Sequence, residues 1–478
     1  MPGDEGLPGR QRCLAMIAVM TATTMAVFDG SIVNIALPQI AKALAVPTGE
    51  AIWVSNGYLL AVAMTLATFA ALAKRLGFRV LFAGGLAVFT LASLGCALSS
   101  SLAWLTAMRV LQGVGGAATL AIAPAIHRSI FPNRLLGRIL GLHALLIATS
   151  TAIAPILGGT LLSALSWQWI FAINIPLGIV GVTLTLRNVP NAHASAHKRF
   201  DIAGGLLAAI AMAALIMAAD ACSGLGVGAR NFASVLAPIA YAVIAVMAAT
   251  AFVWRQRHAQ EPLLPLDMFS SSRFSMAALT SLASFVGQGI TFIALPILFE
   301  GAYGYSAFAS ALLFTPWPIG IIIAAPHAGR LADRYPPIAL ATLGLCIFVV
   351  GLVLLALLPD HSNALNIAWR ELICGAGFGI FQSPNNREMM ANASRDRSAN
   401  ASGVLAIVRT FGQCVGVAFV GVILSAYAEP GIAEGAKLLN AAQTMHAVRA
   451  TLWLAVFATA LGLFLSASRL RRTSVLSR

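Results

Sequence analysis

The chain has 478 residues, 59% of them hydrophobic and only 10% charged, with a mean hydropathy of +0.86. A soluble domain carries about 25% charged residues, so this composition excludes a soluble enzyme or scaffold and describes a polytopic membrane protein. The net charge of +14 would suggest nucleic acid, but its placement excludes that partner. With the N-terminus taken as cytoplasmic, 23 of the 30 Lys and Arg fall in cytoplasmic segments and two within helices (Arg109, Arg409). Five fall in outer segments (Lys42, Arg230, Arg370, Lys437, Arg449). Such asymmetry orients the protein and meets anionic lipid.

At the start of the chain, Arg10 and Arg12 precede an apolar run too long for a signal peptide, so no cleavable leader is expected. Apolar runs broken by Pro, Gly and charge predict an all-α protein with fourteen spans. These lie near 14–37, 51–73, 80–99, 103–125, 138–163, 169–187, 202–220, 233–254, 274–298, 306–327, 338–358, 365–385, 403–427 and 447–468. An even number places both termini on one side, here the cytoplasmic side of the plasma (inner) membrane. The basic stretch 187–200 and the stretch 255–273 bracket an extra helix pair. The chain therefore divides into a six-helix bundle over 1–190, a linker with two extra helices over 191–258, and a second six-helix bundle over 259–478.

The first span carries the main chemical signal. Asp29 lies well inside it, with Asn34 further on and Pro38 near its end. A carboxylate at the centre of a membrane helix costs roughly 3 kcal/mol or more, so such a group faces protein or water and is functional by default. A buried carboxyl also keeps its proton more readily than a hydrated one, which suits a proton carrier near neutral pH. The alternative is a structural Asp paired with a buried Arg. Arg109 in the fourth span lies at a similar depth by helix rise, so an Asp29–Arg109 contact, direct or through Gln112, is expected. Fixed and switchable versions of that pair remain open.

The fifth span reads Ala148-Thr-Ser-Thr-Ala-Ile-Ala-Pro155-Ile-Leu-Gly158-Gly159, a bendable seam of small residues. His143 stands alone there, and His193 with His197 in the polar linker makes no ligand set, so no metal site is expected. The six Cys are scattered without a CxxC, which argues against a disulfide framework. Trp317, between Pro316 and Pro318, lies near the bilayer midplane, either packed beside a bent helix or stacked on a ligand. Glu371 lies at a depth similar to Asp29. It either faces the cavity as a second proton or cation site, or faces its own Arg370 or the outer water. Asp220 and Glu300 fall at outer helix ends and are expected to be solvated, and Arg409 is read as a structural anchor.

The two sets of six echo each other. Ala70-Ala-Leu-Ala-Lys74-Arg75-Leu-Gly77 follows the second span, and Gly329-Arg-Leu-Ala-Asp333-Arg334-Tyr335 follows its later counterpart. Arg109-Val-Leu-Gln-Gly-Val-Gly-Gly116 and Arg370-Glu-Leu-Ile-Cys-Gly-Ala-Gly377 form a second matching pair. Weak internal symmetry of this kind is expected of a transporter built from repeats, with its site at the repeat interface. No GxxxxGK[ST] loop is present and no nucleophile–base constellation appears. The chain is therefore not read as an enzyme, and transport would draw on an ion gradient rather than a cofactor.

Together these stretches resemble the major facilitator superfamily over nearly the whole chain, and specifically its fourteen-helix drug/proton antiporter branch of the EmrB/QacA type. Phe28-Asp29-Gly-Ser-Ile-Val-Asn34-Ile-Ala-Leu-Pro38 is similar to the branch's first-helix motif, where the resemblance implies a proton-coupling Asp. Arg109…Gln112-Gly113 is similar to the fourth-helix motif, and Ala154-Pro155…Gly158-Gly159 to the antiporter motif. Trp167-Gln-Trp-Ile-Phe-Ala-Ile-Asn174-Ile-Pro176 and Gln382-Ser-Pro-Asn-Asn386 are further branch-like signatures. One departure matters: the loop after the second span has Ala70 for the family's Gly and Lys74 for its Asp. The family's Asp helps latch the cytoplasmic side, whereas Asp333 keeps the acid in the second copy.

The resemblance implies a fold of two six-helix bundles plus an inserted pair, and a monomeric multidrug exporter driven by the proton gradient. Asp29, Arg109 and Glu371 are the expected proton-coupling residues. Asn34, Tyr58, Gln112, Trp317 and Glu371 are the expected contacts for an amphipathic, cationic small molecule. Lys74, Arg75, Gly77, Pro155, Gly158, Gly159, Gly329, Asp333 and Arg334 are the expected conformational motif. A facilitator or importer of an anionic or neutral metabolite, or a non-transporting membrane sensor, remains the alternative.

Overall fold

The computed structural model describes residues 7, 9–190, 201–223, 232–259, 266–332, 334–391, 398–428 and 439–476. All regular structure among the described residues is helical. The first half contains α1 (Gly9–Ala43), α2 (Thr48–Ala51), α3 (Trp53–Leu76), α4 (Phe78–Ala97), α5 (Leu102–Ile130), α6 (Asn133–Ala164), α7 (Trp169–Ala172) and α8 (Asn174–Asn188). Next come α9 (Ile202–Ser223) and α10 (Phe232–His258). The second half contains α11 (Ser272–Ile297), α12 (Ala307–Phe314), α13 (Pro316–Leu331), α14 (Pro337–Ala356), α15 (Ala364–Ala391), α16 (Ser398–Tyr427) and α17 (Ala441–Leu476).

Local chemistry sets the helix ends. Ser101 accepts from Trp104 N–H at the start of α5, and Ser306 from Ala309 N–H at the start of α12, satisfying backbone donors that each helix leaves free. Pro316 and Pro337 open α13 and α14, where the missing N–H costs nothing. Gly77 turns the chain between α3 and α4 at φ 86°, a backbone conformation that favours glycine. Helix α1 runs through Pro38 to Ala43, six residues beyond its predicted end. Helix α11 finishes in a single π-turn, Leu298–Ala302, which carries Glu300.

Among the described residues, eleven stretches are long and apolar enough to cross a membrane. The protein is thus an integral, multi-pass membrane protein. The three predicted spans outside that set correspond to α6, α9 and α15. Helices α6 and α9 contribute the shorter apolar pieces Thr149–Ala164 and Ala203–Ala218. Helix α15 is long, but Arg370, Glu371, Arg387 and Glu388 interrupt its apolar run.

The helices pack as two groups, α1–α8 and α11–α17. The start of α1 and the last turns of α17 lie on one side of the molecule, the terminal face. There Leu7 N–H donates to the Ile130 carbonyl, and Arg12 stacks over Phe131. On the opposite, far face, Tyr303 donates to the Pro359 carbonyl and Arg449 pairs with Asp360. Toward the far face the two groups share one apolar core, built from Ile32–Ile40 of α1 together with parts of α6, α11, α12, α16 and α17. Gly159 of α6 lies against Ala307, Phe308 and Ala311 of α12, and Gly49 lies against Gly421 and Ser425 of α16. Toward the terminal face each half has a core of its own, one around Phe82, Ile126 and Ile130, the other around Phe274, Met389 and Val404, with Ala406 and Ile407 of α16 packed against the first. The halves are therefore joined most broadly at the far face and less toward the terminal face.

Helices α9 and α10 pair with each other outside both groups. Their bases are tied by Asp201, which accepts from Gly204 N–H at 2.9 Å, Arg255 Nε at 2.5 Å and Gln256 Nε2 at 2.9 Å. Ile216 of α9 packs with Leu60 of α3 and with Cys414 and Ala418 of α16, across the joint between the halves.

Candidate functional site

The site forms where α1, α3, α4, α5 and α8 converge inside the first half. Helical spacing places Arg109 and Gln112 on one face of α5, one turn apart, and turns both toward α1. Asp29 is 1% exposed and Arg109 0% exposed, so the pair is shut off from water and lipid alike. Arg109 Nη1 donates to Asp29 Oδ2, and again to Gln112 Oε1 at 2.6 Å. Gln112 Nε2 donates to Asp29 Oδ1 at 2.8 Å and to Ser93 Oγ at 2.8 Å. Asn174 Nδ2, at the start of α8, donates to Asp29 Oδ1 at 3.1 Å. Arg109 Nε reaches the Val54 carbonyl at 2.8 Å, and the guanidinium lies 4.5 Å from the centre of the Tyr58 ring and 5.6 Å from that of Phe171.

This is a carboxylate whose two oxygens accept three donors, one of them charged. A buried ion pair holds together only when further hydrogen bonds satisfy its remaining lone pairs and protons, and the two amides supply those. One guanidinium nitrogen, Arg109 Nη2, has no partner. The arrangement can hold a negative charge at Asp29. The same contacts tie α1 to α5 and α8 through one carboxylate.

The Asp29–Arg109 contact expected from the sequence is present, both directly and through Gln112. Asn174 and Ser93 complete it, and neither was assigned a place in it from the sequence. Asn174 belongs to the Trp167–Pro176 motif, whose sequence gives no sign of which helix it faces, and nothing in the local sequence distinguishes Ser93 from other helical serines. Tyr58 is buried beside Arg109, and Asn34 is half-buried, accepting from Ser55 Oγ at 2.8 Å.

Glu371 meets neither of the two environments expected for it. It is 0% exposed inside the second half, away from the outer water, and Arg370 is engaged elsewhere, with Asn366 and the Leu354 carbonyl. Trp317 is likewise fully buried, its ring edge-on to Phe292 at 5.5 Å and to Phe348 at 5.6 Å, which is the packing environment of the two considered. Glu300 is half-buried in its π-turn with Oε1 unpartnered, so it is not a freely hydrated end group. Arg409 is half-buried and has no ion-pair partner among the described residues.

In the antiporter motif, Pro155 is buried within α6, Gly158 abuts Ile32 of α1, and Gly159 faces α12. At the terminal face Arg75 and Arg334 are exposed, and Gly329 is half-buried. The side chain of Lys74, that of Asp220, and Asp333 lie outside the described residues. Asn385 of the later signature donates to the Ala277 carbonyl and to Ser281 Oγ, and accepts from Arg469, linking α15 to α11 and α17. His143, expected to pack or hydrogen-bond rather than to bind metal, bonds Thr23 at 3.0 Å and lies 5.0 Å from the ring of His127. Among the described residues no cluster of three metal-ligating side chains occurs.

Residues 19–417 match the family model described as Major Facilitator Superfamily. The chain is 40% identical to an uncharacterised transporter of Escherichia coli, YebQ, over 89% of this chain and 92% of that protein. It is 30% identical to the multidrug resistance protein Stp of Mycobacterium tuberculosis, over 87% of this chain and 77% of that protein. It is 26% identical to the riboflavin transporter RibZ of Clostridioides difficile, over 97% of this chain and 99% of that protein.

Proposed function

The chain belongs to the major facilitator superfamily, a family of transporters rather than enzymes, and from that premise we propose that it exports amphipathic, cationic toxic compounds in exchange for protons. The observation that carries the reading is Asp29. An acid buried in a membrane helix, held by one Arg and two amides, is costly to keep and is retained for ion or proton traffic. The likeness to a multidrug resistance protein supports the substrate class. In this reading the chain sits in the plasma (inner) membrane as a monomer with both termini cytoplasmic. Helices α6, α9 and α15 complete fourteen spans, as in the EmrB/QacA branch.

In this reading one cycle fits the geometry. With the halves parted toward the terminal face, Asp29 is clasped by Arg109. Substrate enters from that side and meets Asn34, Tyr58 and Gln112, while Trp317 stays in the packed core. The halves then rock, α6 bending at Pro155 and sliding on Gly158 and Gly159. An external proton neutralises Asp29, loosens its hold on Arg109 and favours substrate release. The Gly77 and Gly329 loops limit this motion at the terminal face, and Lys74 in place of an acid weakens the first of them.

Dye or quaternary-ammonium transport in everted vesicles tests the reading. Both an uncoupler and Asp29→Asn should collapse it, and transport unchanged by both would reject proton coupling through this acid. A second reading is transport of an anionic or neutral metabolite, favoured by Arg409, which has no ion pair among the described residues, and by the likeness to a riboflavin transporter. Uptake of an anion that competes with the dye and depends on Arg409 would favour it.

A further inference from the structure

The two halves can be aligned by their glycine contacts. A Cβ on Gly113 would come within 2.5 Å of the Tyr58 carbonyl of α3, and one on Gly115 within 2.5 Å of the Gly85 carbonyl and Phe89 N of α4. In the second half Gly375 of α15 lies in the same way against the Trp317 backbone of α13, and Gly377 against Phe348 of α14. Both pairs have the same spacing. Arg109 stands four residues before Gly113, and Glu371 four residues before Gly375. Two fully buried ionisable side chains therefore occupy the same place in the two repeats.

Their surroundings differ. Arg109 binds a counter-charge, an amide and a carbonyl. Neither carboxyl oxygen of Glu371 has a side-chain hydrogen-bond partner among the described residues. The one donor that approaches it is the Trp317 backbone N–H of α13, whose bond to the carboxyl is marginal. From α15 itself the titratable neighbour is Cys374, while Arg370 points to Asn366 and Leu354. Helix α14 contributes Phe348 and Gly351 at this level, packed on Gly377 and Cys374, and α11 contributes Phe292 against Trp317. No charged side chain among the described residues acts on Glu371. An ionised carboxylate with no partner in such a place is strongly disfavoured, and unpaired intramembrane acids mark ion or proton pathways.

We propose that Glu371 is a second proton-binding site, in the half that lacks Asp29. The proton adds to a carboxyl oxygen and leaves as itself, with no other bond made or broken. Glu371 is seven residues from the start of α15, hence about 10 Å below the far face, and exchanges its proton with that side. The proposal rests on the export reading only in taking the proton as the coupling ion. With Asp29 in one half and Glu371 in the other, a full cycle would carry two protons.

Infrared difference spectroscopy of the whole chain in lipid tests this directly, titrated over about pH 5 to 9, where buried Glu residues can exchange protons. A titrating carboxylic C=O band should persist in Asp29→Asn, vanish in Glu371→Gln and shift in Glu371→Asp. A spectrum in which Glu371→Gln loses no titrating band, with Glu300→Gln run alongside to identify that acid's own band, or a Glu371 band that never titrates, would overturn the site. If Glu371→Gln fails to fold, the Asp variant decides, because an unshifted band there also overturns it. The readout requires no transport. A titrating Glu371 in a protein that moves no dye would leave this site standing and reject the export reading alone.

Discussion

Arg109 and Glu371 hold equivalent places in two repeats that share helix spacing, glycine contacts and depth, yet only one of them is paired. In the first half the buried charge was answered side chain by side chain, from α1, α3, α4, α5 and α8. In the second half the same position is walled by Trp317, Phe348 and Cys374. The repeats thus use one scaffold for two electrostatic tasks. A paired charge depends on each partner staying in place, whereas a lone acid depends on a proton. A third carboxylate sharpens the contrast. Asp201 is bound by an Arg and a Gln, as Asp29 is, but at the edge of the molecule, where Arg255 is 44% exposed.

The largest effect should come from breaking the paired member. Arg109→Met strands the Asp29 carboxylate and should cost about 3–5 kcal/mol in thermal or denaturant unfolding in detergent. Glu371→Leu removes an acid that no neighbour holds and should be neutral or stabilising. Equal losses in the two variants would erase the distinction. Next, Asn174→Ala removes one donor from a charged acceptor and should cost about 1.5–3 kcal/mol by the same assay. If the two halves are packed alike, Gly113→Ala and Gly375→Ala should each cost about 1–3 kcal/mol through overpacking of backbone on backbone. A loss confined to one of them would refute the alignment.

The smallest effect belongs to Asp201. Burial pushes its carboxyl up, but the Gly204 N–H, the Arg255 guanidinium and the Gln256 amide outweigh this and hold it below the usual carboxylate range. A lowered folded-state pKa contributes stability above the unfolded value, lost as pH falls through the folded one. Because water screens Arg255, Asp201→Asn should cost no more than about 1 kcal/mol at neutral pH. That difference from the parent protein should vanish well below about pH 4, as followed by melting temperature against pH.

Much of the paired site was legible in the sequence because its logic is one-dimensional. An acid inside an apolar run needs a partner, and helix rise limits which Arg can reach it. Gln112 followed from lying one turn beyond Arg109. The Val54 carbonyl, Ser93 and Asn174 did not follow, since their roles depend on how α3, α4 and α8 are rotated about their axes. Glu371 was misplaced for the same reason: its depth could be counted, but whether it faced a cavity, Arg370 or a packed interior could not. For Trp317 the packed environment and the ligand-facing one share the same depth. Span counting read α15 as apolar, although Arg370, Glu371, Arg387 and Glu388 make it one of the more polar helices. A helix lined by neighbours needs less greasy surface than one facing lipid.

Ile216 rests where Leu60 of one half meets Cys414 and Ala418 of the other. Any rocking of the halves must therefore shear across a third surface that belongs to neither. If the halves rock, α9 is the element placed to keep acyl chains out of the joint on that flank, and the knot at Asp201 fastens it to α10. The inserted hairpin would then serve as a bearing seal, its wear surface a short apolar strip.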